Sequence, residues 1–294
     1  MKQKQIGLLL FAAIIAISFS AIFVKWSDAP PTVTSMYRMY FSSLLLIPFV
    51  WRKRHDFVRV SKSEWGFLAL SGLCLGFHFA LWFGSLDLTT VASSTMILAL
   101  QPIIALLGGF IFYKERAGLR VILSVGLAIA GVMLIGWGDL GHGSRLAILG
   151  DILSFLSVIA VVGYLLIGQN KVKRISHWIY SFSVFLFAGL ALNLFNLVKG
   201  VPMTGYERGE WGIFILLAIF PSLSHVIFNF LLSYVNTTTI SMSVLGEPVG
   251  ATILAAILLH EQVTLLQVFG GCIVLVGVFI FLSQQRRKAP LPDI

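Results

Sequence analysis

The 294-residue chain is so apolar that the few polar side chains interrupting its hydrophobic runs are the ones able to do chemistry. Glu247-Pro248 and Gln101-Pro102 occupy matching places in two such runs. Arg38 interrupts another, His78 a fourth, and His225 and Asn229 stand one helical turn apart in a fifth. An ionisable group inside hydrocarbon costs roughly 2.5–3.5 kcal/mol, so each is a candidate for a substrate or coupling-ion pathway. Glu247 could carry a coupling proton or pair with a substrate amine; its structural alternative is a glutamate hydrogen-bonded between helices. Arg38, roughly 9 Å below the outer boundary of its run, could hold an anionic substrate, join an internal salt bridge, or snorkel to the headgroups. His78 and His225 either line the pathway or satisfy neighbouring helices, and Asn193 and Asn196 fit the second role better. Pro102 and Pro248 each free a backbone carbonyl, so both are expected to bend their helices near the midplane, with a polar site between them.

Other chemistries lack their residues. There is no His-Glu-x-x-His and no Gly-x-Ser-x-Gly; His260-Glu261 is followed by Thr264 where a second histidine would be needed. Cys74 and Cys272 lie alone in apolar runs, without the paired spacing of a metal or redox motif. No catalytic residue, metal site or cofactor is expected. A net charge of +9 in a soluble protein would suggest nucleic acid, but here the basic residues fall in loops where they report orientation. No nucleic-acid partner is implied.

The elements that must position these residues are membrane spans. Hydrophobic residues make up 58% of the chain and charged ones 11%, and the mean hydropathy is +0.94, so lipid is the solvent for most of it. With about 20 residues needed per crossing, ten spans are predicted: Ile6–Val24, Thr32–Trp51, Trp65–Gly84, Val91–Phe112, Leu119–Trp137, Ile148–Ile167, His177–Val198, Trp211–Leu232, Thr238–Leu258 and Leu265–Ser283. The first competes with a signal-peptide reading, because Lys2 and Lys4 precede it and Ser18-Phe19-Ser20 resembles a cleavage site. With the N-terminus placed in the cytoplasm, the two ends and the loops 52–62, 114–120 and 171–174 hold sixteen of the 21 Lys and Arg. Lys25, Arg145, Lys199 and Arg208 lie outside, and Arg38 is in the membrane. Both termini are therefore expected in the cytoplasm. All seven tryptophans fall near span ends, the place of an interfacial belt. Gly72-x-x-x-Gly76, Gly126, Gly131 and Gly136, and Gly270, Gly271 and Gly277 are read as sites of close helix packing. Glu115 and Glu261, each just before a new helix, are read as caps, and the Asn236-Thr237-Thr238 sequon as a false positive in a cytoplasmic loop.

A shift of 146 residues lays Gln101-Pro102 on Glu247-Pro248, Glu115 on Glu261, Leu119 on Leu265 and Gly131-Val132 on Gly277-Val278. Five spans per half make the second copy enter from the opposite side, so the expected fold is an all-α integral membrane protein of ten transmembrane helices in two inverted five-helix repeats, 6–138 and 148–284.

With Leu88-Thr89-Thr90-Val91-Ala92-Ser93, Gln101-Pro102 and Glu115-Arg116 in the first half, and Gly150-Asp151, Glu247-Pro248-Val249, Glu261 and Gly271 through Gly277 in the second, the whole chain resembles the EamA-type permeases of the drug/metabolite transporter superfamily. Gln101 stands where many relatives place an Asn before the proline. The resemblance implies a basket-like bundle around a central cavity, with the fifth and tenth helices at its periphery. It also implies alternating access and export of amino acids, other small metabolites or drugs from a bacterial inner membrane. The expected partners are a small-molecule substrate, the bilayer and, as a candidate, a coupling proton, with the protein a monomer or homodimer. A membrane scaffold or sensor, or an intramembrane enzyme, are the alternatives.

Overall fold

The computed structural model describes residues 1, 3–86, 88–89, 94, 97–136, 145–260 and 263–288. The described elements are helical: α1 Gln3–Lys25, α2 Pro31–Arg52, the short α3 Arg54–Val58, α4 Lys62–Leu86, α5 Gln101–Tyr113, α6 Leu119–Gly136, α7 Arg145–Lys171, α8 His177–Lys199, α9 Arg208–Leu231, α10 Thr237–Val244, α11 Glu247–Leu258 and α12 Leu265–Lys288. Among the described residues, eight segments are long and apolar enough to cross a bilayer, one of them formed by α10 and α11 in succession; α5 and α6 are shorter apolar helices. Of the predicted fourth span, 91–93 and 95–96 lie outside the described residues, as do Lys2, Trp137, Glu261 and Gln262.

Helix starts and stops follow local chemistry. Pro31 opens α2 at a position whose N–H would lack an intrahelical partner in any case. Gly200, at φ +66, ends α8 in the left-handed conformation that glycine adopts at little cost. Asn236 caps α10 by accepting from the Thr239 backbone N–H at 3.1 Å, so the apparent glycosylation sequon is a helix start. Lys114 and His260, 146 positions apart, both take the left-handed conformation, at φ 55 and 54.

The prolines act differently from expectation. Each of Pro102 and Pro248 sits in the first turn of a new helix, beginning at Gln101 or Glu247, and does not bend a continuous one. In a first turn the missing N–H costs no hydrogen bond, so proline starts the half-helix after an interruption at Leu245 and Gly246 in the second half.

The bundle packs α1 on α9 and α11, α2 on α8, α4 on α7 and α8, and α6 on α12. Without a hydrophobic drive between helices in lipid, small residues set these approaches. A Cβ on Gly72 would meet the Val184 carbonyl oxygen of α8 at 2.9 Å, and one on Gly250 would run into the Ser18 hydroxyl of α1. Between α6 and α12 the contact is backbone to backbone: a Cβ on Gly131 would lie 2.7 Å from the Gly270 carbonyl oxygen and the Val274 nitrogen. Gly131→Val should therefore destabilise the protein by roughly 1–3 kcal/mol. Gly126 departs from the close packing expected of it, since a Cβ there meets nothing within 4 Å, and thermal unfolding in detergent therefore checks the prediction against Gly126→Val.

Residues of the family-like motifs also meet. Gly150 lies against the Thr89 backbone, where a Cβ would approach the Thr89 nitrogen to 2.9 Å, and the Thr89 hydroxyl donates to Asp151 at 2.8 Å. This bond and the close approach pin Thr89 to the start of α7.

Candidate functional site

One cavity of about 210 Å³ is lined by Arg38, His78, Gln101, His225, Glu247 and Pro248, drawn from both halves of the chain. It extends to Val24 and Lys25 in the last turn of α1 and to Trp82 and Phe83 near the end of α4. Five of the six polar positions singled out from sequence thus converge. The sixth, Asn229, lies fully buried behind the wall, where its Oδ1 accepts from the Tyr164 hydroxyl and its Nδ2 donates to Ser181 at 3.0 Å. Tyr164 itself lines the cavity.

Arg38 is 2% exposed and does not snorkel. Its Nε donates to the Ser222 hydroxyl at 3.3 Å, and its guanidinium carbon lies 4.6 Å above the Phe79 ring. Proline makes Ser222 available: Pro221 lacks the N–H that would bond the Leu217 carbonyl, and Ser222 donates to that oxygen at 3.3 Å. Ser42 donates to Ser222 at 2.6 Å, completing a small buried cluster. The Arg38 Nη2 is buried with no hydrogen-bond partner. The internal salt bridge considered for Arg38 is not formed to Glu247; no ion pair within 4 Å joins them, although their charges interact through space.

Glu247 is partly buried at the first position of α11, and Gln101 opens α5 in the same way. Gln101 Nε2 donates to Ser241 at 3.1 Å, so its amide joins α5 to α10 beside the cavity. His78 Nδ1 donates to the Ser157 carbonyl at 3.0 Å, which fixes the tautomer and leaves Nε2 as an acceptor in the neutral ring. The buried Nδ1 of His225 has no partner. Asn193 and Asn196 lie away from the lining.

Trp82 corrects the interfacial-belt expectation: it lines the cavity, and its indole nitrogen is buried without a partner. Trp51, 67% exposed, keeps the surface position.

Glu115 also departs from its expected capping role. Its two carboxylate oxygens accept from Gln169 Nε2 of α7 and Asn236 Nδ2 at the start of α10, both at 2.7 Å. Gln169 in turn accepts from the Thr237 backbone N–H. Gly109 makes room for this carboxylate, because a Cβ there would lie 2.9 Å from one of its oxygens. The knot ties three segments at the end of the bundle that holds the α1 N-terminus, away from Lys25. Its pseudo-equivalent, Glu261, lies outside the described residues.

Comparison with known proteins agrees with this architecture. The EamA-like transporter family matches twice, over residues 5–137 and 148–283. An uncharacterized transporter of Synechocystis sp. is 28% identical over 78% of this chain and 75% of its own. One of Archaeoglobus fulgidus is 24% identical over 88% and 90%, and the Bacillus subtilis uncharacterized transporter YetK is 24% identical over 99% and 91%. A solved crystal structure superposes with a TM-score of 0.83 over 98% of this chain and 100% of its own, at 15% identity, a likeness of fold alone.

Proposed function

Because the chain belongs to the EamA-like transporter family, within the drug/metabolite transporter superfamily, it is a multi-pass membrane transporter, and we propose that it exports a small metabolite through the cavity between its halves by alternating access. The observation that carries this reading is the convergence of Arg38, His78, Gln101, His225 and Glu247, scattered through the sequence, on one cavity. Amino acids and related compounds suit its volume of about 210 Å³ better than drugs, whose sites occupy roughly 300–1,000 Å³. In this proposal Glu247 receives a substrate amine or a coupling proton, and the Glu115 knot holds the cytoplasmic end shut while the cavity faces outward.

The proposal includes ten spans in two inverted repeats, 6–138 and 148–284, with the protein in the inner membrane and both termini cytoplasmic. The double family match, the matched left-handed residues Lys114 and His260, and the Gly131 and Gly277 contacts between α6 and α12 support the repeats. The basic loops support the orientation. Neither a scaffold nor an enzyme role draws support from membership of a transporter family.

Flux tests the function directly. An overexpressing strain should gain resistance to one class of inhibitory metabolite or analogue, and the reconstituted protein should move a member of that class chemically unchanged. Conversion of the solute, or no movement of any solute that selects for overexpression, would end this reading.

A further inference from the structure

At the end of the bundle that holds the Glu115 knot, Lys53 and Arg54 join α2 to α3, and Lys171 and Arg174 end α7 and lead into α8. Among the described residues, no ion pair within 4 Å joins a carboxylate to any of the four. Two of them are seated on aromatic rings instead. Lys171 Nζ lies 3.8 Å from the centre of the Phe67 ring, and the Arg54 guanidinium carbon 5.6 Å from that of Trp51. Both rings are on the outer surface, Phe67 41% and Trp51 67% exposed. Neither cation lines the central cavity or the one beside the knot, which takes in Lys173. The two seats belong to one rim: the charge of Lys53 reaches His177, those of Lys171 and Arg174 reach Glu64, and α8 packs on both α2 and α4. Segments 52–64 and 171–177 hold eight Lys and Arg against the two acids Asp56 and Glu64. Glu64 is engaged already, its Oε2 accepting from the Ser61 backbone N–H at 2.8 Å and hydroxyl at 2.9 Å to start α4. Beneath the cations the surface is apolar. Phe67, Leu70 and Phe77 are exposed along one face of α4, and Phe49 stacks on Trp178 between α2 and α8 at 4.3 Å.

The orientation of the chain requires cations in the loops at this end, but not cations laid on lipid-facing rings above an apolar track. We propose that the rim binds anionic phospholipid, with a phosphate at each ring-seated cation, Lys171 beside Arg174 and Arg54 beside Lys53, and acyl chains against the apolar surface beneath. The ring covers one side of each cation and leaves the other to meet the phosphate at headgroup depth. A phospholipid with a choline headgroup carries a cation of its own and gains no net attraction. A soluble phosphate gains the charge and none of the contact with Phe67, Leu70 and Trp51. Gln169 of the knot and Lys171 share the last turn of α7, so a lipid holding Lys171 steadies the turn on which the knot depends. The site is separate from the central cavity and independent of the cargo.

The test titrates dioleoyl phosphatidylglycerol or dioleoyl phosphatidylcholine into the full-length protein in a neutral detergent and counts bound lipids by native mass spectrometry. Phosphatidylglycerol should fill the two seats at least about tenfold more tightly than phosphatidylcholine, and glycerol 3-phosphate should not displace it. Lys171→Gln should weaken one seat and Arg54→Gln the other, each roughly fivefold, the equivalent of about 1 kcal/mol per basic residue at an anionic lipid surface. Phe67→Ala keeps every charge and should still weaken the Lys171 seat. Arg120→Gln, an equal loss of charge at the same end, should leave both seats unchanged. Melting without lipid shows whether each variant folds; where Lys171→Gln does not, Arg174→Gln, at an exposed position of the same seat, replaces it. Equal retention of the two lipids overturns the proposal by removing its preference for the anion. A loss as large in Arg120→Gln as in Lys171→Gln overturns it by reducing the rim to diffuse charge. Displacement by glycerol 3-phosphate overturns the lipid assignment in favour of a soluble anion. The transporter reading stands or falls separately, because no cargo enters the measurement.

Discussion

Glu247→Ala is expected to abolish transport. The substitution removes the carboxylate that faces Arg38 across the cavity and leaves that guanidinium buried without an opposing charge. With a substrate ammonium on Glu247, truncating that carboxylate breaks a desolvated charge pair between protein and solute, which costs about 2–5 kcal/mol, or roughly 30-fold to more than 1,000-fold in affinity. Glu247→Gln is the sharper variant, because it keeps the shape and the helix start while removing both the charge and the titration. A proton and a substrate ammonium compete for the same carboxylate, and only the ionised form binds the ammonium. Wild-type binding should therefore weaken as the pH falls on the side the cavity faces, and Glu247→Gln should lose that dependence together with most of its activity. Initial rates in proteoliposomes across a pH series, at matched protein content, decide the point. A glutamine variant that transports with the wild-type profile would remove Glu247 from the site.

Glu115→Ala should have the second large effect, on conformation. The carboxylate takes hydrogen bonds from Gln169 and Asn236, and alanine leaves both amides without their acceptor at a cost of about 1–3 kcal/mol each. If the knot holds the cytoplasmic end closed, that cost is withdrawn from the closed state alone, and every 1.4 kcal/mol shifts the population tenfold. A cysteine placed at Thr239, beside the knot, should then label with a membrane-impermeant thiol reagent from the cytoplasmic face at least about tenfold faster in the Glu115→Ala background. Glu115→Gln keeps one carbonyl acceptor and should fall between the two. Unchanged labelling with intact folding would reduce the knot to a local tie.

The sequence placed Glu247 and Gln101 together because a charged or amide residue before proline, repeated after 146 positions in an apolar chain, is too costly to arise without a use. Glycine spacing likewise marked positions of close packing, as Gly72, Gly131 and Gly277 show, but which helix each one meets was legible only in the fold. Other features had no signal of this kind. Phe79, Trp82 and Phe83 are the same residue types that cover the lipid-facing surface, and only the packing of α4 on α7 and α8 tells which way they turn. Trp82, near a span end, satisfied the rule for interfacial rings while facing inward. Ser222 was silent because a serine after proline means little until Arg38, 184 residues away, is seen to use it. Glu115 read as a cap because its partners Gln169 and Asn236 are distant in sequence, and Pro102 and Pro248 read as bends because the interruption precedes them.

The seat of α1 on α11 carries one more meaning. Ser18 donates to the backbone carbonyl of Glu247 at 3.4 Å, and Gly250, one turn on, leaves no gap beneath the same serine. Ile17 and Ser20, on either side of it, form part of the cavity wall. The helix that shapes the chamber and the half-helix that bears its acidic group are thus in direct contact at Ser18 and Gly250. In the proposed transport cycle, occupancy of Glu247 and movement of α1 would therefore share a single mechanical coordinate.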